Sequence, residues 1–158
     1  PWQVYMLPQY SMMNKMNLVD THIGYILMQT FIPFGVFLMR QSFISIPDEL
    51  LEAARIDGLS EYGIYAKIAL PLSKASATTL VIFSFVTIWN DYMGPMIYFN
   101  SEKYKTIQLG IKMFIGQYST EYGLVMAVSV MALLPVLIIF LIGQKQFVQG
   151  IASSGIKG

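Results

Sequence analysis

The sequence predicts an all-α integral membrane protein, a polytopic helical bundle. Three stretches of chain are each long and apolar enough to cross a bilayer, whose hydrocarbon core of about 30 Å needs about 20 residues of helix. Hydrophobic residues make up 55% of the 158-residue chain and charged residues only 12%, about half the roughly 25% of an ordinary soluble domain. Alternation of period two is absent from all three stretches, which argues against a β-barrel.

The apolar runs are Ile23 to Phe43, Ala75 to Tyr98 and Leu124 to Ile142. They divide the chain as follows: 1–20, the end of a preceding span and an outer loop; 21–44, a span; 45–74, a polar loop; 75–99, a span; 100–121, a second polar loop; 122–144, a span; 145–158, a tail. The chain opens on Pro1, and Pro1 to Met13 already reads as the close of an apolar segment. No charged leader or cleavage site precedes it, so it is not a signal peptide, and the chain is expected to be the C-terminal portion of something longer. Pro33, Gly24 and Gly35 lie in the first run, where membrane helices tolerate them if neighbours satisfy the freed backbone groups.

Three spans put the two polar loops on opposite sides of the membrane. Arg40, Arg55, Lys67, Lys74, Lys145 and Lys157 fall on one side, and Lys15, Lys103, Lys105 and Lys112 on the other. Six against four tilts the 45–74 loop toward the cytoplasm. Within it, Ser45, Pro47 and Asp48 read as a helix start, with the hydroxyl as cap. Leu50, Ala53 and Ala54 share a face, and Gly58 is placed to end that helix in the left-handed conformation. Ser60 then caps a second helix with Ile64 and Ile68 on one face, which Pro71 stops. The loop is therefore a helix–turn–helix elbow. On the other side, Ile107, Ile111, Phe114, Ile115 and Tyr118 recur at helical spacing. They suit either an amphipathic helix in the interface or a helix packed on the rim of the bundle.

Several function classes are excluded by what the chain lacks. It has no cysteine, hence no disulfide, thiolate metal site or cysteine nucleophile. There is no G-x-x-x-x-G-K-[ST] phosphate loop and no H-E-x-x-H. The single histidine, His22, has no second strong metal ligand nearby and reads as an interfacial residue. The ten basic residues form no patch that would bind a nucleic-acid backbone. The chain is not expected to be an enzyme or to hold a metal or cofactor.

The elbow carries the most specific pattern. It reads Glu52-Ala53-Ala54, three residues, Gly58, nine residues, Ile68-Ala69-Leu70-Pro71. This resembles the EAA signature of the permeases of binding-protein-dependent ABC importers, E-A-A, three, G, nine, I-x-L-P, at every specified position and both gaps. Phe34-Gly35, Arg40-Gln41, Trp89-Asn90-Asp91 and the ending Phe147-Val148-Gln149-Gly150 to Gly155-Ile156-Lys157-Gly158 are similar to the carbohydrate branch of that family. Ile151-Ala152-Ser153-Ser154 departs mildly, since relatives more often have Leu-Thr-Ala-Gly there.

The resemblance implies the C-terminal part of a type-I ABC importer transmembrane domain, multi-pass in a bacterial or archaeal cell (inner) membrane. It implies that Glu52, Ala53, Ala54, Asp57, Gly58, Ile68, Leu70 and Pro71 dock on an ATP-binding subunit. ATP is then bound by that partner, and the permease itself needs no cofactor. The other implied partners are a second permease subunit, an extracellular or periplasmic solute-binding protein, membrane lipid and a sugar. The family also allows a non-sugar solute such as a polyamine, an amino acid or phosphate. A non-transporting membrane scaffold that docks an ATPase stays open beside it.

Polar groups inside membrane segments are costly and face a cavity or another helix. Trp89, Asn90 and Tyr92 either line a sugar path or form an interfacial aromatic belt with Asn90 and Asp91 bonded to a neighbouring helix. Gln29 and Thr30 form a second polar spot, open to substrate or to a neighbouring helix. The tail from Gln149 to Lys157 either reaches the ATPase pair or frays.

Overall fold

The computed structural model describes residues 2–116 and 120–155, with side chains described as far as Lys145. Among these the fold is helical. The helices are α1 (Met6–Lys15), α2 (His22–Gln29), α3 (Pro33–Ile44), α4 (Asp48–Ile56), α5 (Glu61–Ile64), α6 (Leu70–Leu72), α7 (Lys74–Trp89), α8 (Met93–Tyr98), α9 (Ile107–Met113) and α10 (Tyr122–Gly155). An isolated bridge between Ile115 and Thr120 is the one extended pairing among the described residues. Contacts divide the chain into two units, Pro1–Phe31 with Val86–Leu137, and Ile32–Phe85 with Ile138–Gly158.

Among the described residues, one helix segment, Tyr122–Lys145, is long and apolar enough by itself to cross a membrane, with a mean hydropathy of 3.0. Only 6% of that window is buried, so its apolar surface needs lipid or another subunit to cover it. Two broken pairs, His22–Gln29 with Pro33–Ile44 and Glu61–Leu72 with Lys74–Trp89, pass the same test when each is counted as one span.

The breaks have local causes. Pro33 has no N–H and its ring excludes helical geometry from the residue before it. Ile32 accordingly sits extended at φ −116° and ψ 103°, and α3 restarts with Pro33 in its first turn. The stretch 75–99 reads as one span in the sequence, but its helix stops at Trp89. There Asn90 Nδ2 donates to the Val86 carbonyl at 2.8 Å, and Asp91 Oδ1 accepts from the Gly94 N–H at 3.0 Å. Short polar side chains thus compete for the backbone groups that would continue the helix, and Pro95 falls in the first turn of α8, where its missing N–H costs nothing.

In the first unit, Phe99 is at the centre of an aromatic cluster with His22, Tyr25 and Tyr104 at ring distances of 6.0, 5.1 and 5.8 Å. His22 also meets Tyr104 at 4.6 Å, so the lone imidazole is packed among rings. Asp20 clasps the chain after α8. It takes a positive φ of 59°, which aspartate tolerates better than most residues. Its N–H donates to the Tyr98 carbonyl at 2.8 Å. Oδ1 accepts from the N–H groups of Asn100 and Ser101, both at 2.9 Å, and Oδ2 from the Ser101 hydroxyl.

The Ser101 hydroxyl and N–H hold the Asp20 carboxyl below its ordinary value of 3.8, with the Asn100 N–H and the Lys103 charge adding to the effect. A lowered folded-state value means the clasp contributes fully above the ordinary value and is lost as pH falls through the folded one. The amides of Asn100 and Ser101 should therefore keep their hydrogen-exchange protection at neutral pH and lose it in acid below 3.8. Asp20→Asn should remove that pH step. Protection that is flat across this range would show that the clasp does not order the loop.

The second unit contains α3 to α6 and most of α7. Gly35 faces Leu80, and Phe34 meets Phe83 edge-on at 5.7 Å. Ile46, Ala54, Ile64 and Ile82 are buried. The helix that begins at Glu61 passes through a π-helical turn, Tyr65–Ala69, and continues one residue beyond Pro71. The chain then bends by 73° at Ser73 before α7.

In the loop between α8 and α10, α9 ends at Met113 with Phe114 as its cap. The expected helical repeat therefore holds for Ile107 and Ile111 only; Ile115 pairs with Thr120 instead, and Tyr118 lies outside the described residues. The backbone of α10 runs on through Gly155. The side chains of 146–155, and Ile156, Lys157 and Gly158 altogether, lie outside the description.

Candidate functional site

The elbow between α3 and α7 presents the residues of the Glu-Ala-Ala pattern. Ser45 does not cap α4: it closes α3, its hydroxyl donating to the Ser42 carbonyl at 2.7 Å. Pro47 stands at the N-terminal boundary of α4 without a side-chain hydrogen bond, and Asp48 and Glu49 lie in the first turn, where acids favour the positive end of the helix dipole.

At the other end Gly58 has φ +81°. Its N–H bonds the Arg55 carbonyl at 3.0 Å, and the Leu59 N–H bonds the Ala54 carbonyl at 3.0 Å. This is a Schellman closure with the glycine in the left-handed position. A Cβ on Gly58 would meet nothing within 4 Å, so the backbone conformation, and not close packing within the chain, is what calls for glycine. Ser60 caps α5, accepting from the Gly63 N–H at 3.3 Å.

Ala54 is buried in the elbow, while Glu52, Ala53, Asp57, Leu70 and Pro71 are exposed and Ile68 is half-buried. Ile56 is 86% exposed and Tyr62 89%, so the turn carries large apolar side chains outward. Arg55 Nε donates to Glu61 Oε1 at 2.8 Å across the Gly58 turn. Each charge favours the other, raising the arginine and lowering the glutamate below its ordinary 4.5. Two opposite charges flanking a glycine turn are the feature of the sequence that signals this pair.

A second cluster lies in the first unit. Asp91 Oδ2 accepts from the Tyr25 hydroxyl at 2.7 Å and from Gln29 Nε2 at 3.4 Å, and Gln29 Nε2 also donates to the Tyr25 oxygen at 3.2 Å. With the Gly94 N–H on Oδ1, every partner of this carboxyl group is a donor. Asp91, Gln29 and Gly94 line a cavity of about 280 Å³ together with Trp2, Gln9 and Thr87.

Of the five residues named for a substrate path, Gln29 is in this wall and four are elsewhere. Trp89 donates Nε1–H to the Ala132 carbonyl at 2.9 Å, and the Thr30 hydroxyl donates to the Ile26 carbonyl at 3.0 Å. Asn90 receives Gln108 Nε2 at 3.3 Å and lines a separate cavity of about 240 Å³. Tyr92 is half-buried at the start of α8. Asp91 and Tyr25 were missed as a pair because 66 residues separate them. No group of three or more potential metal ligands occurs among the described residues.

The model of the binding-protein-dependent transport system inner membrane component family matches residues 4–153. The arabinooligosaccharides transport system permease protein of Halalkalibacterium halodurans is 36% identical over 158 residues, covering 100% of this chain and 57% of its own length. The melibiose/raffinose/stachyose import permease protein of Bacillus subtilis is 38% identical over 157 residues, covering 97% and 56%. Among solved structures, a bacterial ABC transporter involved in import of the acidic polysaccharide alginate superposes with a TM-score of 0.79 at 27% identity, over 89% of this chain and 55% of that one. The chain thus spans little more than half the length of the relatives it matches.

Proposed function

This chain belongs to the binding-protein-dependent transport system inner membrane components, and from that premise we propose that it is part of the permease subunit of an ATP-driven importer for a sugar or oligosaccharide. It is the C-terminal part of a multi-pass helical bundle, with the 45–74 elbow on the cytoplasmic side. ATP is hydrolysed by a separate pair of subunits, a second permease completes the path, and a solute-binding protein delivers the sugar.

One observation carries the reading: the complete Glu52-to-Pro71 pattern lies on an elbow whose helix end is closed by a left-handed glycine and whose outer face exposes Ile56. Small Ala53 lets a partner backbone approach, and Glu52 offers a charge to pair with it. ATP binding would close the ATPase pair, carry the elbow with it, and shift the spans between inward-open and outward-open states of different stability. The carbohydrate permeases among the relatives support a sugar as the cargo.

These 158 residues hold no cysteine, so in a full-length permease with any cysteine outside them replaced a single label reports one site. In Ile56→Cys, a membrane-impermeant maleimide should react only after the cells are opened, and the ATPase subunit should protect the thiol. Labelling of intact cells would overturn the orientation, and with it the coupling role.

A further inference from the structure

The cavity beside α2 and α8 displays a definite chemistry. Its polar wall is Gln9, Gln29, Thr87 and Asp91, its aromatic wall includes Trp2 and Phe31, and no basic side chain lines it. Gln9 Oε1 is held by Trp2 Nε1–H at 2.8 Å, which turns its amide N–H₂ to other partners. Gln29 commits its amide nitrogen to Tyr25 and Asp91, leaving its carbonyl oxygen as an acceptor. Asp91 Oδ1 receives one N–H, from Gly94, and a carboxyl oxygen, with two lone pairs, has capacity for a second donor. At about 280 Å³ the space lies at the lower end of the roughly 300–1,000 Å³ of small-molecule sites.

We propose that this cavity is a hydroxyl-reading subsite for an uncharged saccharide, with Asp91 and Gln29 bonding the ring hydroxyls and the Asp91 carboxylate selecting against anionic sugars. The proposal rests on the importer reading above and adds to it the charge class of the cargo. An ionisable group in an otherwise apolar segment is costly there and faces a cavity or a partner group. A carboxylate can accept two hydroxyls, and amide groups supply both a donor and an acceptor for the alternating needs of a polyol. The same carboxylate, in a medium of low dielectric, repels a uronate or a phosphate. No lysine, arginine or histidine stands in the wall to offset that repulsion.

The test uses the full-length permease together with the subunits that copurify with it, in lipid nanodiscs and without the binding protein. Binding of raffinose and of trigalacturonate is measured by saturation-transfer NMR. The wild type should bind raffinose and discriminate against trigalacturonate. Asp91→Asn, which keeps an oxygen for the Gly94 N–H, should reduce the raffinose-to-trigalacturonate preference about tenfold, and Gln29→Ala should weaken raffinose about tenfold while leaving the preference intact. A general folding defect would lower both ligands together, so the preference is the diagnostic quantity.

Equal or better binding of trigalacturonate by the wild type overturns the proposal, as does an unchanged preference in Asp91→Asn or an absence of raffinose binding. Uptake of labelled sugars by cells tests the importer reading separately. Sugar uptake with no binding at the cavity defeats only the subsite, and uptake confined to non-sugar solutes defeats both.

Discussion

Gly58→Val is expected to abolish coupled uptake while the permease still inserts in the membrane. The glycine has φ +81°, a region a β-branched residue does not occupy without strain of about 1–3 kcal/mol. Nothing lies within 4 Å of an added Cβ, so the cost comes from the backbone and not from a collision. Relief of that strain requires the turn to open. The bonds from the Gly58 N–H to Arg55 and from the Leu59 N–H to Ala54 are then lost, and α4 no longer leaves the elbow at its present angle. The Arg55–Glu61 pair spans the same turn, but both groups are exposed, and such a pair is too weak to hold the turn against a strained residue.

Asparagine tolerates the left-handed conformation, so Gly58→Asn should retain uptake. Copurification of the ATPase subunit, and sugar-stimulated ATP hydrolysis, should fail for valine and survive for asparagine. Glu52→Ala gives the complementary case: the elbow keeps its shape and loses only the charge offered to the partner, so copurification should weaken without a change in permease abundance. Normal uptake by both Gly58→Val and Glu52→Ala would mean that this elbow does not transmit the ATPase motion.

Much of the elbow was readable because it is governed by local chemistry. A glycine after an amphipathic turn, and a serine three residues before a free N–H, act within one turn of helix, and Gly58 and Ser60 behave accordingly. Ser45 shows the limit of that logic. It lies where one helix ends and another begins, its hydroxyl serves the Ser42 carbonyl, and residue type alone does not decide between the two ends. The run from Ala75 to Tyr98 was read as one helix because hydropathy averages over Asn90 and Asp91. The structure shows that these two side chains take backbone groups for themselves.

The polar cluster was the least legible part. Gln29 stood out as a polar residue in an apolar run, but its partners Tyr25 and Asp91 are joined only by tertiary folding. Trp89 was a candidate for the sugar path or the interfacial belt, and its N–H is committed to the Ala132 carbonyl. Periodicity identifies which residues are unusual for their surroundings, and the pairing between distant segments decides what each of them does.

That pairing makes Gly94→Ala the second large prediction. A Cβ at this position would overlap Asp91 Oδ2 and come within 3.2 Å of Tyr25 Cε2. Gly94 and Pro95 are buried, so α8 has little room to retreat, and overpacking of this kind costs about 1–3 kcal/mol. The carboxylate is the movable part. Its displacement breaks the 2.7 Å bond from the Tyr25 hydroxyl and the 3.0 Å bond from the Gly94 N–H, leaving two donors short of partners in an apolar surrounding.

The expected result is a lower thermal midpoint in detergent and loss of sugar uptake from a single added methyl group. Gly110→Ala and Gly123→Ala are the matched controls, since an added Cβ at either meets nothing within 4 Å. Alanine there should leave uptake unchanged and the midpoint equal or slightly higher, because alanine favours helix over glycine by about 1 kcal/mol. If Gly94→Ala behaved like these two controls, Asp91 would have to be free to move without consequence, and the hydrogen-bonded cluster would not be what orders this end of the chain.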